Sequence, residues 1–416
     1  NRRSKSTAEL YLKLLSLGIN RPYAAIEEYR AVAESLLAAR RKLRPAQKPD
    51  GTVSPPALRD RQTAQLLAIL SDETLYAAAL RFPEASRGDW LVTYETIDDL
   101  ACSDDGKTPR TVVFRGIKFC QGDIIVTKAD SLFSSVLARR LRHPQHFSHS
   151  SVAAVAPGDS RSLRLFDSDG ADDGVKLRDP VRNFSDATRL FVYRLREKDP
   201  HRRRTLLSAV VSGSDRYLAD MRRLTNGDAE GKAAYPFDFR VRIDDSSEQR
   251  CSEVPHIIYG KGGVTDGRNP YPRILWSAHN DMGVEVSKVP ALVNLIFAAE
   301  TATAPEAGDI EFNPNFDVAA ALVIPERLAR ERIDAAIIDV MFAYLSEDVK
   351  GVRTRYTTFL SAFDNDPVTA TGLETLRRSG FFNNTLVAAI AARTLARTHN
   401  FSIKMAIFYV GVNSLL

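Results

Sequence analysis

The spacing of apolar positions changes several times along the chain. From residue 5 to 42 it is helical: Leu10, Leu12, Leu14 and Leu15 precede a break at Gly18, and Ala24, Ile26, Tyr29, Val32 and Leu36 recur on one face after it. The Pro-rich polar stretch "RPAQKPDGTVSPPALRD" (44 to 60) predicts a linker or long loop, and helix resumes over 60 to 82. From Leu91 onward the texture becomes short and β-branched. "TVVFRGI" (111 to 117), "GDIIVTK" (122 to 128), "SHSSVAAVA" (148 to 156), "SLRLFDS" (162 to 168), "TRLFVYRL" (188 to 195), "YPFDFRVRI" (235 to 243) and "FDVAAALVI" (316 to 324) read as strands. Helical spacing interrupts them at 131 to 143, at 202 to 224 and after Cys251, and it returns from Pro325 to the end. The expected organisation is a helical region over 1–100, an α+β unit over 110–325 and a helical region over 326–416.

Composition adds bounds. The 416 residues are 44% hydrophobic and 26% charged, an ordinary globular balance. The chain starts at Asn1 and not at methionine, so a segment upstream is expected. "VPALVNLIFAA" and "LVAAIAA" fall short of the roughly 18 apolar residues of a membrane span and read as buried helices. The net charge of +5 permits an anionic partner without requiring one. The basic runs "RRLRHPQH" and "DPHRRRT" lack an aromatic platform and read as solvated faces, so no nucleic-acid partner is expected. Cys102, Cys120 and Cys251 lie far apart without a CxxC pair or zinc spacing. Neither a disulfide framework nor a metal is expected, and Cys102 and Cys120 read as packing residues.

Cys251 is different. In "RCSEVPHIIYG" (250 to 260) it sits at the start of a helical pattern, where the helix dipole favours a thiolate. A thiol nucleophile needs a base and a group that orients the base. Of seven histidines, His149 opens the apolar strand "SHSSVAAVA", and Asp167 closes the next strand, "RLFDSDG". Asp169, Asp172 and Asp173 are alternatives for the orienting position. Gly122 and Asp123 read as a turn and its cap, and "YGKGGVTDG" (259 to 267) as a flexible rim.

The order "GDIIVTKADSLFSSVLARRLRHPQHFSHSSVAAV", "LFDSDGADDGVKLRD", "FVYRLR", "YPFDFRV" and "RCSEV" resembles the circularly permuted papain-like hydrolases related to NlpC, of the YiiX/YebB type. "APEAGDIEFNPNFDVA" (304 to 319) is similar to the segment that closes that domain. The resemblance implies an antiparallel sheet packed on a nucleophile helix, with Cys251 as nucleophile, His149 as base and Asp167 as orienting group. It implies acyl chemistry through a thioester, without metal or organic cofactor. Two positions depart from the pattern: Ser150 stands where an aliphatic residue is common, and Pro255 falls inside the nucleophile helix, where it threatens to shorten or kink it. A displaced Cys251 would leave a degenerate binding or scaffold module.

The resemblance implies two substrate classes. The permuted order is shared with the lecithin-retinol acyltransferase type and favours lipid acyl esters at a membrane surface; the NlpC relatives favour cell-wall peptide. Helical additions on a hydrolase core resemble secreted bacterial toxins and effectors, with a cognate immunity or secretion-system partner and delivery to a periplasm or membrane surface.

Overall fold

The computed structural model describes residues 23–42, 90–93, 110–129, 147–155, 162–169, 174–185, 187–196, 199–237, 247–261 and 316–325, with scattered positions between 67 and 84 and at 102, 134, 307, 310, 327, 328 and 331. Helix α1 is Ile26–Lys42. Strands β1 to β7 are Trp90–Thr93, Thr111–Phe114, Ile117–Cys120, Ile124–Ala129, His149–Val155, Leu163–Asp169 and Gly174–Arg178. Then come α2 (Pro180–Ser185), β8 (Ala187–Leu195), α3 (Pro200–Leu224), β9 (Tyr235–Pro236), α4 (Glu253–Lys261) and β10 (Phe316–Val323).

The fold is mixed α+β, built on an eight-stranded antiparallel sheet in the order β1-β10-β8-β4-β5-β6-β7-β9. β2 and β3 form a separate hairpin. "TVVFRGI" is therefore not one strand. Arg115 and Gly116 take φ of 48° and 76°, the left-handed pair that a two-residue hairpin turn requires. The sheet also reaches beyond 110–325, because β1 pairs with β10 from Trp90↔Val323 to Thr93↔Ala320.

Alternation within the strands divides the interior into two cores. Val126, Val152, Phe166, Val175, Phe191 and Tyr193 face Ala33 and Leu37 of α1, Val210, Tyr217 and Met221 of α3, and Val254 and Ile258 of α4. Ile125, Ala153, Leu165, Leu190 and Val192 face the hairpin and Phe184 of α2. β8 is buried along its whole length because both faces are covered, its Thr188, Arg189 and Arg194 included. In α1 the buried stripe is Ile26, Tyr29, Ala33 and Leu37, with Val32 and Leu36 on its flank.

Three polar ties fix α4. The Tyr259 hydroxyl donates to the Gly122 carbonyl at 3.0 Å. Lys261 Nζ meets Asp220 of α3 at 2.7 Å, and Arg216 donates to the Lys261 carbonyl at 2.7 Å, satisfying an orphan acceptor at the helix end. Gly122 has φ of 87°, and a Cβ there would collide with the Val210 side chain. Asp123 caps this turn by accepting from the Cys120 amide at 2.8 Å, and it is paired with Arg194 by two bonds of 2.9 and 2.8 Å.

Two expectations are corrected. Cys102 and Cys120 are not separate packing residues: they form a disulfide, with Cα atoms 5.9 Å apart. Tyr259 is no part of a flexible rim, since it is buried within α4. The predicted linker at 44–60, the helix at 131–143 (apart from Ser134), the end of the glycine-rich stretch, most of "YPFDFRVRI" and most of 326–416 lie outside the described residues. Among the described residues, no helix is long and apolar enough to cross a membrane.

Candidate active site

Cys251 lies in a turn immediately before α4, and the peptide groups of Gln249 and Arg250 that precede it are held. The Gln249 amide donates to the Pro236 carbonyl at 2.8 Å, and the Gln249 carbonyl accepts from the Ser168 hydroxyl at 2.5 Å. The Tyr217 hydroxyl donates to the Gln249 side-chain oxygen at 2.5 Å. Glu253 Oε2 accepts from the Arg250 amide at 2.8 Å, which closes the turn that carries Cys251. The helix starts at Glu253, so Pro255 is its third residue. There the missing N–H belongs to the unpaired first turn, and the helix runs on to Lys261 without a break. The kink expected from Pro255 does not occur. Cys251 is partly exposed.

His149 is the first residue of β5. Its Nε2 lies 2.6 Å from Asp167 Oδ1 in β6. The Cys251 thiol lies close enough to this imidazole for each to shift the other's titration. By alternation His149 and Asp167 fall on the hairpin face of the sheet, whereas Ser150 and Ser168 face the helices. Only at a strand end can an imidazole reach an acid on one face and a thiol at the head of a helix on the other.

The electrostatics favour a charged pair. Burial pushes the His149 imidazolium down, but the Asp167 carboxylate and the Cys251 thiolate outweigh it and hold the histidine well above its usual range. Burial pushes the Cys251 thiol up. The His149 charge and hydrogen bond, the Ser150 amide and the Arg250 guanidinium outweigh it, and the thiol lies below its ordinary value. Asp167 follows the same logic: burial raises it, and His149, Arg178 and Asn183 lower it further. Arg178 Nε is 3.2 Å from Asp167 Oδ2, and Asn183 Nδ2 donates to the same oxygen at 3.4 Å.

The structure thus brings together Cys251, His149 and Asp167. Asp169 is occupied elsewhere, 3.4 Å from Arg182, while Asp172 and Asp173 lie outside the described residues. Among the other histidines, His201 is exposed at the head of α3 and His256 is buried within α4; His143, His146, His279 and His399 are not among those described. Arg178, Asn183 and Arg250 were not legible as site residues. Arg178 and Asn183 reach Asp167 through the β6–β7 register and through α2 crossing beneath it. Arg250 directly precedes Cys251, and that adjacency was the available signal. No group of three or more metal-ligating side chains occurs among the described residues.

Chemically, a partly exposed thiol at a helix start, ion-paired to an imidazole that is oriented by a carboxylate, can act as a nucleophile toward an electrophilic carbon. Comparison with known protein families, curated proteins and solved structures found no match to this chain.

Proposed function

We propose that this protein is a cysteine hydrolase of the circularly permuted papain-like kind, acting on acyl bonds through a thioester. The observation that carries the reading is the His149–Asp167 hydrogen bond at 2.6 Å beside Cys251, with the thiol lowered and the imidazole raised. The Cys251 thiolate attacks an acyl carbonyl carbon, and the carbonyl electron pair moves to oxygen. The Cys251 backbone N–H, at the positive end of α4, is the donor we assign to that oxyanion. The His149 imidazolium then gives its proton to the leaving alkoxide or amine as the C–O or C–N bond breaks. Water attacks the thioester, His149 takes its proton, and the acid leaves as the thiolate returns. Asp167 holds the imidazole orientation and stabilises its charge throughout.

For the substrate we propose a lipid acyl ester. Histidine precedes cysteine by about 100 positions, an order that resembles the permuted lipid-acting relatives, and no cation site is needed for the chemistry. The reading includes secretion or delivery into a target cell, and the Cys102–Cys120 disulfide supports an oxidising compartment. The test is mass spectrometry of a bacterial lipid extract and of purified cell-wall fragments, each incubated with the protein and with Cys251→Ala. Free fatty acid and lysolipid that depend on Cys251 support the proposal. New cell-wall peptides transfer it to an amidase or peptidase, and no product from either contradicts both substrate classes.

A further inference from the structure

The two positions that depart from the resembled pattern, Ser150 and Pro255, meet at one atom. In an α-helix the carbonyl of residue i accepts the N–H of residue i+4. For Cys251 that residue is Pro255, which has no N–H. The helical ladder therefore cannot satisfy the carbonyl of the nucleophile, and α4 begins two residues later, at Glu253. The Ser150 hydroxyl, from the strand that carries His149, donates to this carbonyl at 2.9 Å. Ser150 is 2% exposed, so water does not compete freely for its hydroxyl.

We propose that Ser150 and Pro255 form one device. Pro255 removes the helix's own donor from Cys251, and Ser150 replaces it with a donor on the base-bearing strand, so that nucleophile and base are fixed to each other. An ordinary helix N-terminus would tie the Cys251 carbonyl to its own helix and let α4 and β5 shift independently. Here the carbonyl is tied across to β5, one residue from the imidazole. Ser150 touches neither substrate nor leaving group in this scheme; it is a positioning residue, and its role rests on the cysteine-hydrolase reading above.

The device predicts coupling between two residues that make no hydrogen bond to each other. The test is the pH profile of Cys251 alkylation by iodoacetamide in Ser150→Ala, Pro255→Ala and the double variant, with thermal melting to check folding and His149→Ala as control. In the native background Ser150→Ala should slow alkylation at pH 7 about tenfold and move the acid limb upward. In the Pro255→Ala background residue 255 supplies an N–H, and the same substitution should cost less than about threefold. Ser150→Thr, which keeps the hydroxyl, should stay within about twofold of the native protein. If Ser150→Ala folds only together with Pro255→Ala, that rescue equally supports the device. Equal losses in both backgrounds, no loss in either, or failure to fold in both overturn it. If His149→Ala also leaves the profile unchanged, the hydrolase reading falls as well; if His149→Ala slows alkylation, only the Ser150–Pro255 device falls.

Discussion

His149 and Asp167 are hydrogen-bonded at 2.6 Å although they are not partners in the sheet ladder. The ladder pairs Asp167 with Ser151, so His149 reaches its acid along the diagonal, two residues out of register. Diagonal neighbours lie roughly 7–8 Å apart at Cα, within reach of an imidazole and a carboxylate. The position directly opposite His149 falls to Asp169, which is turned to Arg182 instead. Asp167→Asn is therefore expected to slow Cys251 alkylation and any turnover on the order of 10²-fold or more, by removing the charge that holds the imidazolium. Asp169→Asn should change neither by more than about twofold. Kinetics of the two variants side by side check the assignment.

Reactivity should depend on pH in a direction fixed by the pair. The thiol lies below its ordinary range and the imidazole well above its own, so the charged pair dominates the interval between them. Alkylation should rise on an acid limb set by Cys251 and stay high across neutral pH. Turnover, which also needs the His149 proton, should fall again as pH climbs through the raised histidine value. In stability the signs are opposite for the two partners. The Cys251 contribution is present above its unfolded value and lost as pH falls through the folded one. The His149 contribution is full below its unfolded value and lost as pH rises through the folded one. His149→Ala should return the acid limb to that of an ordinary thiol, which a rate–pH series reads directly.

Only one of the three cysteines should be titratable in the oxidised protein. Cys102 and Cys120 are joined, and Cys251 is free. Alkylation without reductant, followed by peptide mapping, should label Cys251 alone, and prior reduction and unfolding should expose two more sites. Label on Cys102 or Cys120 without reductant contradicts the pairing.

Arg194 and Asp123 form a buried pair whose side chains are 3% and 2% exposed. The pair holds the turn from which the Gly122 carbonyl receives Tyr259 of α4, so it supports α4 at one remove. Arg194→Met leaves a buried carboxylate without its counter-charge and is expected to cost about 3–5 kcal/mol. Urea unfolding of the variant measures this, and a shift of less than about 1 kcal/mol contradicts a structural role for the pair.

Much of this arrangement was legible in the sequence where one element makes its own signal. β5, β6, β8, β10 and α3 were readable because each carries its period over seven or more residues. β1 and β7 were missed, being only four and five residues long, and β7 opens with a glycine. Residues 111–117 were read as one strand and β3 was missed, because the hairpin turn depends on a left-handed Arg115, which composition does not announce. Cys251 and His149 were legible as the heads of a helix and a strand. Arg178 and Asn183 were not, because their approach to Asp167 is set by register and by helix crossing. Pro255 was read as a defect by counting from Cys251, whereas its effect depends on where the helical ladder begins.

The central claim is that Cys251 is an acyl-accepting nucleophile activated by His149. The most direct measurement is acid-quenched mass spectrometry after mixing the protein with a short-chain p-nitrophenyl ester, with peptide mapping of any adduct. The account predicts an acyl mass on the peptide carrying Cys251, formed together with p-nitrophenolate, strongly reduced in folded His149→Ala and absent from Cys251→Ala. Ester turnover that survives in Cys251→Ala, or a folded native protein that never carries the acyl group on Cys251, would contradict it.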